Sequence, residues 1–158
     1  MKRSIALGVL FLLLSPGLAV GGPNALRIYS ALEMLEIENQ RNEKGQKLPD
    51  EYVPRLRHEV LYAIVGLHLF HRVEDHFDSA VAEVKPERVV QLKVRIVGYS
   101  GAQNNARVTA LVTFTDKDDK KEILQKKVDA QLFYDQGALT AAMRKLARSI
   151  GNVVRDNW

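Results

Sequence analysis

From Arg88 to Tyr134 the chain alternates apolar and polar residues through three successive segments separated by short polar turns. Side chains on a strand point to opposite faces with a period of two, so this pattern describes an antiparallel meander with one buried and one wet face. In Arg88–Tyr99, Val90, Leu92, Val94 and Ile96 fall on one face and Gln91, Lys93 and Arg95 on the other. Ser100–Asn105 has turn chemistry, and Ala106–Thr115 resumes the alternation with Val108, Ala110, Val112 and Phe114 inward. Asp116–Lys121 supplies a second turn, after which Glu122–Tyr134 sets Val128, Ala130 and Leu132 against Lys127, Asp129 and Gln131.

A sheet with one apolar face needs a cover, and two segments have the period to provide it. Leu139, Ala142, Met143, Leu146, Ala147, Ile150, Val153 and Val154 make a helical stripe across Ala138–Trp158, with Arg144, Lys145, Arg148 and Arg155 on its polar side. Val53, Leu56, Val60, Leu61 and Ile64 make a shorter one, with Asp50 offered as its N-cap and Gly66 as its terminator. Ala25–Glu38 reads as a strand through Leu26, Ile28, Leu32 and Met34, although Leu32, Leu35 and its Ala, Leu and Glu content also suit a helix. Asn39–Leu48 reads as an exposed loop ending at Pro49, Phe70–Phe77 as a short strand, and residues 78–86 as a connector. The fold class expected is α+β: a two-layer mixed β-sheet of about five strands, in the order β-α-β-β-β-β-α, with both helices on one face.

Residues 1–21 carry the features of a cleaved secretory signal peptide, leaving 22–158 as one α+β domain. Lys2 and Arg3 precede the apolar run Ile5–Leu14, and Ala19 and Gly21 are small residues at cleavage-site spacing. The run is about half of the ~20 residues a bilayer requires, so no stable membrane insertion is expected after cleavage. With no cysteine in the chain, disulfides, cysteine-ligated zinc and the lipid-bearing cysteine of a bacterial lipoprotein are excluded. Lys2 and Arg3 carry two of the four net positive charges, so the remainder holds only +2. A nucleic-acid binder would show a basic face interleaved with aromatics, and none is present.

No catalytic or cofactor-binding site emerges. His68, His71 and His76, beside Glu74, Asp75 and Asp78, form the one cluster of potential metal ligands, but neither a strand nor a helix brings all three histidines together. Gly98-Tyr99-Ser100-Gly101-Ala102 approaches a nucleophile elbow, yet ends in Ala and leads toward another strand, so it reads as a hairpin turn. Asp116, Asp118 and Asp119 lack the glycine and terminal glutamate of a calcium loop and read as a charged hairpin tip.

The chain resembles a family of short bacterial envelope proteins of unknown function, related in fold to the amino-terminal domain of TolB and to lipoprotein activators of penicillin-binding proteins. The resemblance lies in the first strand at Leu26–Leu35, the helix through Leu56-Arg57-His58-Glu59-Val60-Leu61, the Phe70-His71-Arg72-Val73 strand, the Val90–Val94 strand leading to Gly98-Tyr99, and the terminal Leu146–Ile150 helix. It implies a mixed sheet used for binding, and no active-site residues. The expected function is that of a non-enzymatic periplasmic or secreted accessory protein binding another envelope protein, with its oligomeric state open. The alternative is a small-ligand or metal-binding protein using His68–Asp78.

Overall fold

The computed structural model describes residues 22–74, 88–102, 105–133 and 137–158. Strands β1 (Ala31–Met34) and β2 (Glu38–Asn39) lead through a single 3-10 turn (Asp50–Tyr52) into helix α1 (Val53–Val65). β3 (Arg72–Glu74), the meander β4 (Val89–Ala102), β5 (Asn105–Asp116) and β6 (Glu122–Phe133), and helix α2 (Ala138–Asp156) follow. The sheet order is β3-β1-β4-β5-β6, with β2 also on β4. β1 runs parallel to both β3 and β4, while β4, β5 and β6 are antiparallel, so the sheet is mixed as expected.

The alternation built the meander as read. Val90, Leu92, Val94 and Ile96 are fully buried and join one core with Val108, Val112 and Phe114 of β5, Leu124, Val128 and Ala130 of β6, and the apolar stripes of both helices. α2 lies on β5 and β6, and α1 packs on α2 and β3. A Cβ at Gly151 would lie 3.7 Å from the Ala63 Cβ, an ordinary van der Waals contact, so the two helices pass close to one another there.

The first strand differs from its expected extent. Leu26 and Ile28 lie in a turn before the strand; Leu26 is nevertheless fully buried, while Ile28 is 56% exposed. The Leu26 amide donates to the Asn157 carbonyl at 2.8 Å, so this turn holds the end of α2, where Trp158 meets Phe70 edge-on at 4.7 Å. Further on, Met34 pairs with Leu92 and Glu38 with Arg95, so β2 continues β1 with one extra residue. Arg57 covers this irregularity: Nη1 donates to the Leu35 carbonyl at 2.8 Å and Nη2 to the Met34 carbonyl at 2.9 Å. A planar guanidinium can serve two neighbouring acceptors at once, which a lysine cannot reproduce.

Three other expectations need correction. Asp50 does not cap α1, whose N-cap is Tyr52; its carboxylate accepts instead from Asn39 at 3.0 Å and pairs with Lys47 at 2.8 Å. The strand after Tyr99 continues to Ala102, which pairs with Asn105 at the start of β5, so Ser100–Ala102 and Asn105 are sheet and not turn. The 39–48 segment is not simply exposed, because Leu48 is fully buried and Asn42 Nδ2 donates to the Tyr99 carbonyl at 2.9 Å. α1 does end at Gly66, but Gly66 keeps right-handed geometry, and it is His68 that turns left-handed at φ 53°.

Asp116 is buried and organises the β5–β6 turn. Its Oδ1 accepts from the amides of Asp118 and Asp119, and its Oδ2 accepts from the Tyr29 hydroxyl at 2.9 Å and from Arg88 at 3.3 Å. The Asp118 amide bond, with Tyr29, Asp119 and Arg88, outweighs desolvation and holds this carboxyl below its ordinary range. Burial first, then the Asp116 carboxylate, push the Tyr29 hydroxyl up to about 12.

Two predictions follow from these contacts. Arg57→Met should lose about 1.5–3 kcal/mol in chemical denaturation, and Arg57→Lys should leave most of the loss in place; full recovery with lysine would contradict the two-acceptor role. For Tyr29, a raised folded-state pKa stabilises fully below pH 10 and is lost as pH rises toward about 12. Tyr29→Phe should therefore be about 1 kcal/mol less stable at neutral pH, with that deficit shrinking across this alkaline window. A deficit independent of pH would refute the linkage.

Candidate binding surface

Among the described residues, those singled out from the sequence do not assemble into a chemical centre. His68 and His71 are exposed on either side of Leu69 and Phe70, and Glu74 lies 3.6 Å from Arg72. Asp75, His76 and Asp78 lie outside the described residues. Among the described residues no group of three or more His, Cys, Asp or Glu side chains could hold a metal ion. Asp118 and Asp119 are exposed at the β5–β6 turn, whereas Asp116 is the buried latch described above.

The Gly98–Ala102 stretch proves to be strand, and its glycines have structural causes. The pairing of β4 with β5 shifts between Ile96 and Gly98, so Val97 is the extra residue of a bulge and Gly98 faces Thr109. A Cβ at Gly98 would stand 3.1 Å from the Thr109 Cβ. At Gly101 a Cβ would meet the hydroxyl end of the Tyr99 side chain, which would have to move aside. Burial, and to a smaller degree Tyr52, raise the Tyr99 hydroxyl above its ordinary range. Ser100 is exposed and stands in a strand, so it lacks the strand-to-helix turn that presents a nucleophile.

The face of β4–β6 away from the helices carries the polar half of the alternation. Gln91 donates to Glu33 at 2.7 Å, and Lys117 pairs with Glu33 at 3.2 Å, which satisfies a carboxylate buried on β1. Lys93 pairs with Glu38. Arg107 Nε and Thr109 Oγ1 both donate to Asp129, at 2.9 and 2.6 Å, and Gln125 donates to Thr113 at 3.2 Å. Burial pushes the Asp129 carboxyl up, but the Arg107 and Thr109 bonds, with the Arg107 and Lys127 charges, overcome it and hold the group below its ordinary range. Gln91, Lys93, Arg95, Lys127, Asp129 and Gln131, the polar positions of the sequence alternation, belong to this face, and Thr109 between them is buried.

Among the described residues, the surface carries a concavity on each side of the sheet–helix sandwich. One, of about 390 Å³, opens beside the bulge, between the 42–46 loop and the outer side of β4–β6. The other, of about 360 Å³, lies between α1 and α2 around Tyr62, Ala63, Leu67 and Ala147, with Glu59, Arg144 and Arg148 at its rim. Arg144 and Glu59 close across it at 3.2 Å. The loop wall was missed in the sequence because Asn42, which accepts from the Lys44 and Gln46 amides, is tied to a strand 57 residues later.

Comparison with solved structures identifies the class of fold. The PelC dodecamer from Paraburkholderia phytofirmans matches with a TM-score of 0.58 at 10% identity, over 83% of this chain and 88% of that one. The hypothetical protein CT253 from Chlamydia trachomatis matches at 0.58 with 13% identity, over 82% and 97%. Protein XCC0632 from Xanthomonas campestris, of family DUF330, matches at 0.54 with 10% identity, over 89% and 91%. At these identities the shared property is the fold. No family model and no curated protein matches the sequence. No helix among the described residues is long and apolar enough to cross a membrane.

The bulge provides a direct check of this geometry. Gly98→Val would drive two further carbons against Thr109, and should cost about 1–3 kcal/mol in denaturation, as overpacking does elsewhere. An unchanged midpoint would mean that the strands do not approach as described.

Proposed function

We propose that this chain is a non-enzymatic accessory protein, exported to the periplasm or beyond, that binds another protein of the cell envelope through the outer face of its sheet. The observation that carries the reading is that the helices cover one side of β4–β6, while the other presents side chains already paired with one another. Such a surface can be desolvated at an interface with Glu38 and Asp129 each keeping its own donors. The charged n-region and apolar run before residue 22 support export. The sequence-pattern likeness to TolB-type and penicillin-binding-protein activator domains supports a binding role.

Self-assembly is a second reading, favoured by the dodecameric state of PelC, whose fold is similar. Both are tested by placing a photo-cross-linking residue at Thr113 or Gln125 on the outer face, or at Arg155 on α2, in the native host. The expected result is one partner captured in near-stoichiometric amount from the outer-face positions and not from position 155. Cross-links between copies alone would replace partner binding by self-assembly; capture from Arg155 alone would overturn the assignment of the face.

A further inference from the structure

The cavity beside the β4 bulge has a chemistry of its own, distinct from the flat, self-paired face around it. Its floor is the outer side of β4 and β5, where Gly98 and Thr109 face each other. Its wall is the 42–46 loop, held rigid by Asn42: Oδ1 accepts two loop amides and Nδ2 donates to the Tyr99 carbonyl. Lys44 on the loop, and Arg107 and Lys127 on the sheet, line it, against the single carboxylate of Glu43. The Arg107 Nε is engaged by Asp129, a carboxylate that also accepts from Thr109. Among the described residues, Lys44 and Lys127 form no ion pair, and the Ser100 hydroxyl, which also lines the cavity, has no hydrogen-bond partner.

We propose that this cavity binds a small oxyanion carried on a hydroxylated body, such as a sugar acid or sugar phosphate. The anion sits between Lys44 and Lys127, and the hydroxyls meet Ser100 and the Gln46 amide. Three considerations support that class. The volume of about 390 Å³ lies within the range of small-ligand sites. Cations approach it from the loop and from the sheet, so an anion entering between them gains charge-assisted bonds from opposite sides. Ser100 and Gln46 add a hydroxyl and an amide to the lining, and Val97 and Gly98 an apolar patch, a mixture that suits the hydroxyls and the C–H faces of a sugar ring. The cavity opens on the face assigned to partner binding, so the ligand is tested on the purified protein, where failure of ligand binding would leave the partner reading standing.

The test is calorimetric titration of the mature protein with potassium glucuronate, glucose 1-phosphate and glucose. Saturable binding of one or both anions is expected, weakening with added salt, with none for glucose. The preferred anion distinguishes a carboxylate from a phosphate ligand. Lys44→Gln and Lys127→Gln should each weaken it about tenfold, and Ser100→Ala less, while Arg148→Gln, at the other concavity, should change nothing. Circular dichroism and melting temperature confirm that each variant is folded. Equal binding of glucose, binding unchanged in both lysine variants, or no saturable binding at millimolar ligand would each overturn the proposal. None of these outcomes bears on the cross-linking result.

Discussion

Four residues, Ala31–Met34, join the parallel half of this sheet to the antiparallel half. They pair with β3 on one side and β4 on the other, and all four are buried. A strand so placed must satisfy its surroundings on both faces, and the sequence Ala-Leu-Glu-Met does so unequally. Leu32 and Met34 enter the helical core, while Glu33 goes into the opposite face and is accommodated only because Gln91 and Lys117 reach it. A buried carboxylate without such partners would cost several kcal/mol. The segments on either side are then fixed by long-range polar contacts: Tyr29 to Asp116 before the strand, Arg57 to the Met34 and Leu35 carbonyls after it.

The division between what could and could not be read in advance follows from this. The meander and both helices are encoded in local periodicity, which burial then enforces, and their limits were close to those observed. The first strand was blurred because its pattern combines two demands. Leu26 is buried in a turn against α2, Ile28 is exposed, and only the next four residues are sheet. Asp116 reads in the sequence as part of a charged tip because nothing nearby reveals that Tyr29, 87 residues away, donates to it. Asn42 and the loop wall escaped for the same reason. The open sheet face was legible as a list of polar residues; the bulge that opens a cavity in it was not, since a one-residue shift in pairing shows only when both strands are present.

Fold and surface together describe a scaffold whose polar groups are mostly committed to one another. Thr109, Asp129 and Arg107 form one such set, and Glu38 and Lys93 another. In the contact role proposed above, the same pairs would give register and electrostatic matching. The cations at the bulge are the local departure from that pattern.

The account turns on the outer sheet face being occupied when the protein is at work. Lysine-reactive footprinting of Lys93 and Lys127, with Lys120 at the β5–β6 turn as reference, compares intact cells with the purified protein. With a partner on this face, Lys93 and Lys127 react in the purified protein and are shielded in cells, while Lys120 reacts in both. Equal labelling of all three lysines in the two settings would contradict it.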